Sequence, residues 1–374
     1  MRPTYYLSAC LTLALAATLS CKQNYLPPVI ANPPTDLVVE GFINNGADST
    51  YFNLSHSYML SDSTSATPEL NAAVTVEGTD NSSYPLGEVG NGQYGAQLPA
   101  LNSSAQYRLH IITTANKQYA SDYVTLLNNP PIDSINFIRN NTGVTIYANT
   151  HDATNAARYF RYEYQETWEY HSAYYASYLF VNGALQTYSP NTIFTCWHGD
   201  ISSQIILANS TQLGQAVIYE KSLVQIPPAA QQLSVKYSIL VKQYALTQDA
   251  FNWWSIMQNN TENIGSIFGV QPSTDQGNLH CLTDTSEQVI GFVSAGNIRS
   301  QRIFITNDQV TPWIFEPECT EIQVAIDPTA IAVKYGEGYR PVDLTSNQEF
   351  LNMAFENCVD CTLTGTNVQP SFWQ

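Results

Sequence analysis

The sequence is short of charge, and shortest of positive charge. Of its 374 residues 12% are charged, with 14 basic against 31 acidic side chains and a net charge of −17 at neutral pH. So few cations cannot line a track along a phosphate backbone, which excludes nucleic acid and an anionic membrane surface bound by charge. Beyond the N-terminus no apolar run approaches the ~20 residues that cross a bilayer as a helix. No H-E-x-x-H, Walker loop, dinucleotide fingerprint or G-x-S-x-G elbow occurs, so no cofactor is implied and an enzyme is unsupported.

What is present begins with Arg2 and an apolar run from Leu7 to Leu19, closed by Ser20 and Cys21. The run is too short for a span and ends in a small residue, the pattern of a signal peptide over residues 1–20. Thr18-Leu19-Ser20-Cys21 resembles a bacterial lipobox, with its leucine two rather than three places before the cysteine. That resemblance implies cleavage before Cys21 and a lipid on its thiol. Residues 21–35 then carry the Pro-rich stretch Lys22 to Pro34, with the composition of an extended tether. The expected location is the outer membrane, anchored in the bilayer through the N-terminal lipid, with the cell surface favoured over the periplasmic face.

Setting aside Cys10 and Cys21 leaves Cys196, Cys281, Cys319, Cys358 and Cys361. In an oxidising compartment four of them can form two disulfides, with the pairing unreadable from sequence. Cys358-Val359-Asp360-Cys361 is a C-x-x-C, open between a redox pair, half a zinc site and structural bridges. The last is favoured, because no second ligand pair has comparable spacing and the motif follows an expected helix instead of opening one.

Short β-runs separated by turn residues fill the next stretch. Leu37–Ile43, Ala73–Glu77, Tyr107–Ile112 and Tyr119–Leu126 read as strands, and Gly87–Tyr94 as a hairpin. Residues 36–128 are therefore expected to form an immunoglobulin-like or transthyretin-like β-sandwich. Asn128-Asn129-Pro130-Pro131 marks the boundary to a second, mostly-β domain over 129–374 with a few helical insertions. In it, Phe160, Tyr162 and Tyr164 alternate at strand period. Val289–Ser294 and Arg302–Ile305 read as strands. Thr247 heads an expected helix through Met257, and Ser346–Glu349 is a capping box before an expected helix over Phe350–Phe355.

Trp168, Tyr170, Tyr174, Tyr175, Tyr178 and Phe180 crowd one short segment. Such rings form either a surface for a glycan, peptide or protein, or the second domain's core; strand-period aromatics favour the core. Cys196, His198, His280 and Cys281 offer a weaker possibility of metal or Cys-His chemistry, which needs convergence that spacing does not supply. Asp-Ser tripeptides at Ser49, Ser63 and Ser134 resemble Bacteroidota O-glycosylation acceptors, and also suit turns.

The C-terminal run Cys358-Val359-Asp360-Cys361 to Thr364-Gly365-Thr366-Asn367 and Pro370-Ser371-Phe372-Trp373 resembles the ending C-x-D-C-R-x-x-G-G-T-N-x-K-P-x-F-W of the Bacteroidota lipoprotein family with domain of unknown function 4249. Thr362 replaces its Arg, Gln369 its Lys, and one Gly is missing. Leu37–Ile43, Pro130–Ile135, Ile267-Phe268-Gly269, Gln276–Leu279 and Val289–Phe292 are similar to further family segments. The resemblance implies a lipid-anchored outer-membrane protein, immunoglobulin-like at its N-terminus, serving as a non-enzymatic accessory or ligand-binding partner of a TonB-dependent β-barrel transporter. A surface glycan-binding adhesin and a hydrolase or metalloenzyme are the alternatives.

Overall fold

The structure is a computed structural model that describes residues 36–57, 66–189, 191–262 and 277–373. The signal peptide, Cys21, the tether, Ser63, Ile267-Phe268-Gly269 and Gln276 lie outside the described residues. The expectation of a mainly β chain that opens with a sandwich holds.

The first body starts with Leu37–Asn44 paired antiparallel to Thr50–His56. Successive side chains of a strand point to opposite faces, so Leu37, Val39 and Ile43 enter the core with Phe52 and Leu54. Phe42 leaves on the other face and meets Tyr244 of the second body edge-on at 5.2 Å. Ser83–Gly90 and Gln93–Ala96 form the expected hairpin, with Asn91 and Gly92 both at positive φ in its turn. The expected strand Tyr119–Leu126 is two, Gln118–Ser121 and Val124–Leu127.

This body is not completed by residues 36–128. Leu279–Cys281 pairs antiparallel with Gln118–Ser121, and Val289-Ile290 parallel with Leu37-Val38. Ala295-Gly296 inserts between Leu37–Asn44 and Val124–Leu127, parallel to both. Since Val124–Leu127 also pairs with Gln106–Ile112, the ladder of strands closes on itself. Leu279, Cys281, Val289, Val293 and Ala295 all join the first core. The boundary at 128/129 therefore assigns to the second domain a segment whose backbone belongs to the first. Of the expected strand Val289–Ser294 only Val289-Ile290 is strand.

The second body stacks a three-stranded sheet (Ile132–Asn140, Gly143–Asp152, Ala216–Ile226) on a five-stranded one. The long central strand of the latter, Tyr159–His171, is flanked by Lys236–Leu246 on one side and by Thr195–Ile201 and Ile206–Asn209 on the other; Arg299–Thr306 forms an edge. Phe160, Tyr162, Tyr164, Trp168 and Tyr170 all point between the sheets, where they meet Val144, Ile146, Tyr237, Ile239 and Ile305. Burying each such ring contributes roughly 1.5–3 kcal/mol or more. The expected helix is present as Gln248–Glu262, its N-terminus capped by Thr247 Oγ1, which accepts from the Ala250 N–H at 3.2 Å.

The junction between the bodies is buried. Asn129 is 1% exposed, and its side chain exchanges hydrogen bonds with fully buried Gln243: Asn129 Nδ2 donates to the Gln243 carbonyl, and Gln243 Nε2 donates to Asn129 Oδ1 at 3.0 Å.

A third, smaller module closes the chain. Glu321–Ala325, Phe350–Phe355 and Tyr339–Leu344 form a sheet in that order, backed by the helix Pro328–Gly336 and by the hairpin Tyr178–Val181/Ala184–Thr187, which is inserted from the second body. Phe350–Phe355 is thus the central strand and not a helix. Leu351 and Met353, two residues apart, are both fully buried on one face, and the preceding polar residues fold as a turn in which Thr345 Oγ1 bonds Asn347 Oδ1 at 2.7 Å. The helix that does form here is headed by Asp327, whose carboxylate accepts from Thr329 and Ala330 N–H groups ahead of a proline at the first helical position.

Candidate functional site

The sulfurs resolve the open C-x-x-C question. Cys361 is bridged to Cys196 and Cys358 to Cys319, so the two motif cysteines hold different parts of the chain. Cys281 is free and buried against Thr283 and Glu287. With Cys196 oxidised, its sulfur is no nucleophile. The histidines are dispersed. His198 Nδ1 bonds the Thr364 carbonyl at 2.6 Å and its ring leans on Trp168, while His280 pairs with Asp122 at 3.2 Å. Among the described residues no three His, Cys, Asp or Glu side chains stand close enough together to hold a metal ion.

The aromatic run is mostly interior. Trp168 and Tyr170 are 8% and 3% exposed, which corrects their assignment to a binding surface: strand alternation sends both into the sandwich. Tyr174 is half-buried and donates to the Cys319 carbonyl at 3.0 Å. Tyr178 is half-buried in the inserted hairpin. Tyr175 alone of the five is exposed, edge-on to Phe194. Ser49 is half-buried in the turn before Thr50–His56; Ser134 is exposed on its strand, where its Oγ accepts from Asn149 Nδ2.

Tyr170 serves to seat the C-terminal segment. Tyr170 Oη donates to the Cys361 carbonyl at 2.8 Å and bonds Thr364 Oγ1 at 2.8 Å, and burial pushes its phenol up from the ordinary value. Thr366 exchanges two backbone hydrogen bonds with Trp197. A Cβ on Gly365 would stand 2.6 Å from Tyr170 Oη and 2.7 Å from the Trp197 carbonyl, so only glycine admits this approach. Further on, Trp373 Nε1 donates to Glu169 Oε2 at 3.0 Å and its ring packs on Phe304 and Trp197. Arg302 stacks over Phe372 at 3.6 Å. Gln369, where the family pattern has Lys, bonds the Trp373 carbonyl.

One carboxylate sits within the sandwich. Glu166 shares the inward face of its strand with Tyr164 and Trp168, and accepts from Tyr237 Oη at 2.6 Å. Burial raises its carboxyl above the ordinary range, the Tyr237 bond pulls it back, and nearby Asp200 adds to the rise.

Two surfaces stay open at the C-terminal module. Tyr335, Phe355 and Val333 are exposed, with Arg340 over the Tyr335 ring at 4.1 Å and ion-paired to Glu356, and Phe355 edge-on to Tyr339 at 5.4 Å. On the other side of the small sheet lies a polar groove of about 740 Å³. Neither was visible in sequence, because each joins residues from separate elements of the module.

The family model described as "Domain of unknown function (DUF4249)" matches residues 22–302. The chain belongs to this DUF4249 family. The match ends before the C-terminal segment that carries Cys319, Cys358 and Cys361. No curated protein matches the chain. Among solved structures, a two-fibronectin type-III domain segment from chicken tenascin is similar at 11% identity, covering 57% of this chain and 93% of that one, with a TM-score of 0.16.

Proposed function

We propose that this DUF4249 chain is a non-enzymatic lipoprotein, held at the outer membrane of a Bacteroidota cell by a lipid on Cys21 and acting as accessory partner to a TonB-dependent β-barrel transporter. The observation that carries the reading is the exposed pair Tyr335 and Phe355 on the C-terminal module, with half-buried Arg340 stacked over the Tyr335 ring. Tyr, Phe and Arg are enriched where proteins meet, and rigid rings lose little entropy on docking. The two disulfides support work in an oxidising compartment outside the cytoplasm.

Affinity purification of the tagged protein from native membranes in mild detergent tests the reading. A co-purifying β-barrel protein that is lost from Tyr335→Ala/Phe355→Ala is the expected result. Recovery of abundant wild-type protein with no barrel protein overturns it.

A further inference from the structure

The polar groove lies on the face of the C-terminal sheet opposite its packed side. Ile322, Val324, Leu351 and Met353 turn toward the helix and the inserted hairpin. Their neighbours Gln323 and Asn352, directly opposite each other in the ladder, turn the other way, as do the paired Ala325 and Phe350. Phe350 is 40% exposed, an aromatic ring set among amides.

Two backbone irregularities converge here. The register between Tyr339–Leu344 and Phe350–Phe355 shifts between Pro341/Met353 and Leu344/Leu351, which leaves Val342 and Asp343 together opposite Asn352. Such a bulge re-aims a side chain, and the Asp343 carboxylate accepts from Asn352 Nδ2 at 2.8 Å. The turn that follows holds Gln348 at φ 57°, a conformation that costs a non-glycine residue energy, and raises Asn347 at the groove's rim. The exposed Gln323 carboxamide makes no hydrogen bond within the described residues.

The lining selects a ligand class. A carboxylate that already orients a carboxamide, with a second, unengaged carboxamide on the neighbouring strand, offers paired donors and acceptors of the kind that meet hydroxyl groups. Phe350 offers a flat apolar face for the C–H side of a sugar ring. The lining includes Asp343 and no Lys or Arg, so an anionic ligand is disfavoured. The volume lies within the range of small-ligand sites.

We propose that this groove, formed by Gln323, Asp343, Asn347, Phe350 and Asn352, binds a neutral oligosaccharide. The site is separate from the Tyr335/Phe355 surface and does not depend on a partner protein there. The chain after the anchor cysteine, residues 22–374, is screened against an array of neutral gluco-, manno-, galacto- and xylo-oligosaccharides beside polyuronides, and hits are titrated calorimetrically. Saturable binding to a neutral class is expected, weakened roughly tenfold by Asn352→Ala and several-fold by Gln323→Ala, and unchanged in Tyr335→Ala. Gln323 is exposed and unbonded, so its variant keeps the fold even if changes at Asn352 or Phe350 disturb the sheet. The proposal is overturned if no neutral oligosaccharide binds at millimolar concentration, if only polyuronides bind, or if Gln323→Ala and Asp343→Asn leave the affinity unchanged.

Discussion

The indole N–H of Trp373 donates to the carboxylate of Glu169 at 3.0 Å, across 204 positions of sequence. The last residues of the described chain thereby lie on the outer face of the strand whose inner face forms the second core. Trp373 is 8% exposed and packs on Phe304 and Trp197. Trp373→Ala is expected to cost about 3–5 kcal/mol, as for other buried large aromatics cut to alanine. Guanidinium unfolding followed by circular dichroism measures it.

Gly365 tests the same seat from the backbone. A methyl group there meets Tyr170 Oη and the Trp197 carbonyl. Gly365→Ala should destabilise by about 1–3 kcal/mol, the range for overpacking. Adding Tyr170→Phe, which removes the hydroxyl in the way, should recover part of that loss in a double-mutant cycle.

The Cys196–Cys361 bridge spans 165 residues of sequence. Its removal in Cys196→Ala/Cys361→Ala is expected to lower stability by about 2–5 kcal/mol. It should also make the segment after Cys358 the first site cut in limited proteolysis, read by mass spectrometry.

Glu166 gives a pH signature. Its carboxyl is raised in the folded protein above the ordinary 4.5, by burial first. The folded state therefore holds the proton more tightly than the unfolded chain, and stability is lost as pH rises from 4.5 through the folded value. Glu166→Gln, which keeps an acceptor for Tyr237 and cannot ionise, should melt higher than wild type at pH 7. The difference should vanish below pH 4.5. An equal gain at both pH values would show that ionisation is not the cause.

The proposed lipid on Cys21 predicts that Cys21→Ser abolishes incorporation of radiolabelled palmitate and leaves the protein in the soluble fraction, where wild type sediments with the membrane. Labelling that persists in the variant would place the lipid elsewhere.

Much of the β architecture was legible because it is written locally. The Asn91-Gly92 turn, the alternation of Phe160, Tyr162 and Tyr164, and the Thr247 cap each act within a few residues. Phe350–Phe355 reads as a helix in sequence because a six-residue, mostly apolar run fits both periods, and Ser346–Glu349 satisfies a capping pattern as well as a turn. The burial of Trp168 and Tyr170 agreed with strand period. The use of Tyr170 as a seat for Cys361 and Thr364 did not show, since those contacts join positions 191 and 194 apart. The disulfide pairing and both open surfaces of the C-terminal module are likewise products of long-range assembly.

Ala295-Gly296, inserted between Leu37–Asn44 and Val124–Leu127, sets a schedule. At synthesis rates of about 5–20 residues per second, roughly ten to thirty seconds separate the appearance of Leu127 from that of Gly296. Until the late segment arrives, Leu37–Asn44, Gln118–Ser121 and Val124–Leu127 each lack a partner along one edge, the condition under which strands join wrong neighbours. The first sheet is complete only once residue 296 is in place, so a chain that stops short of it carries open strand edges of the kind that aggregate.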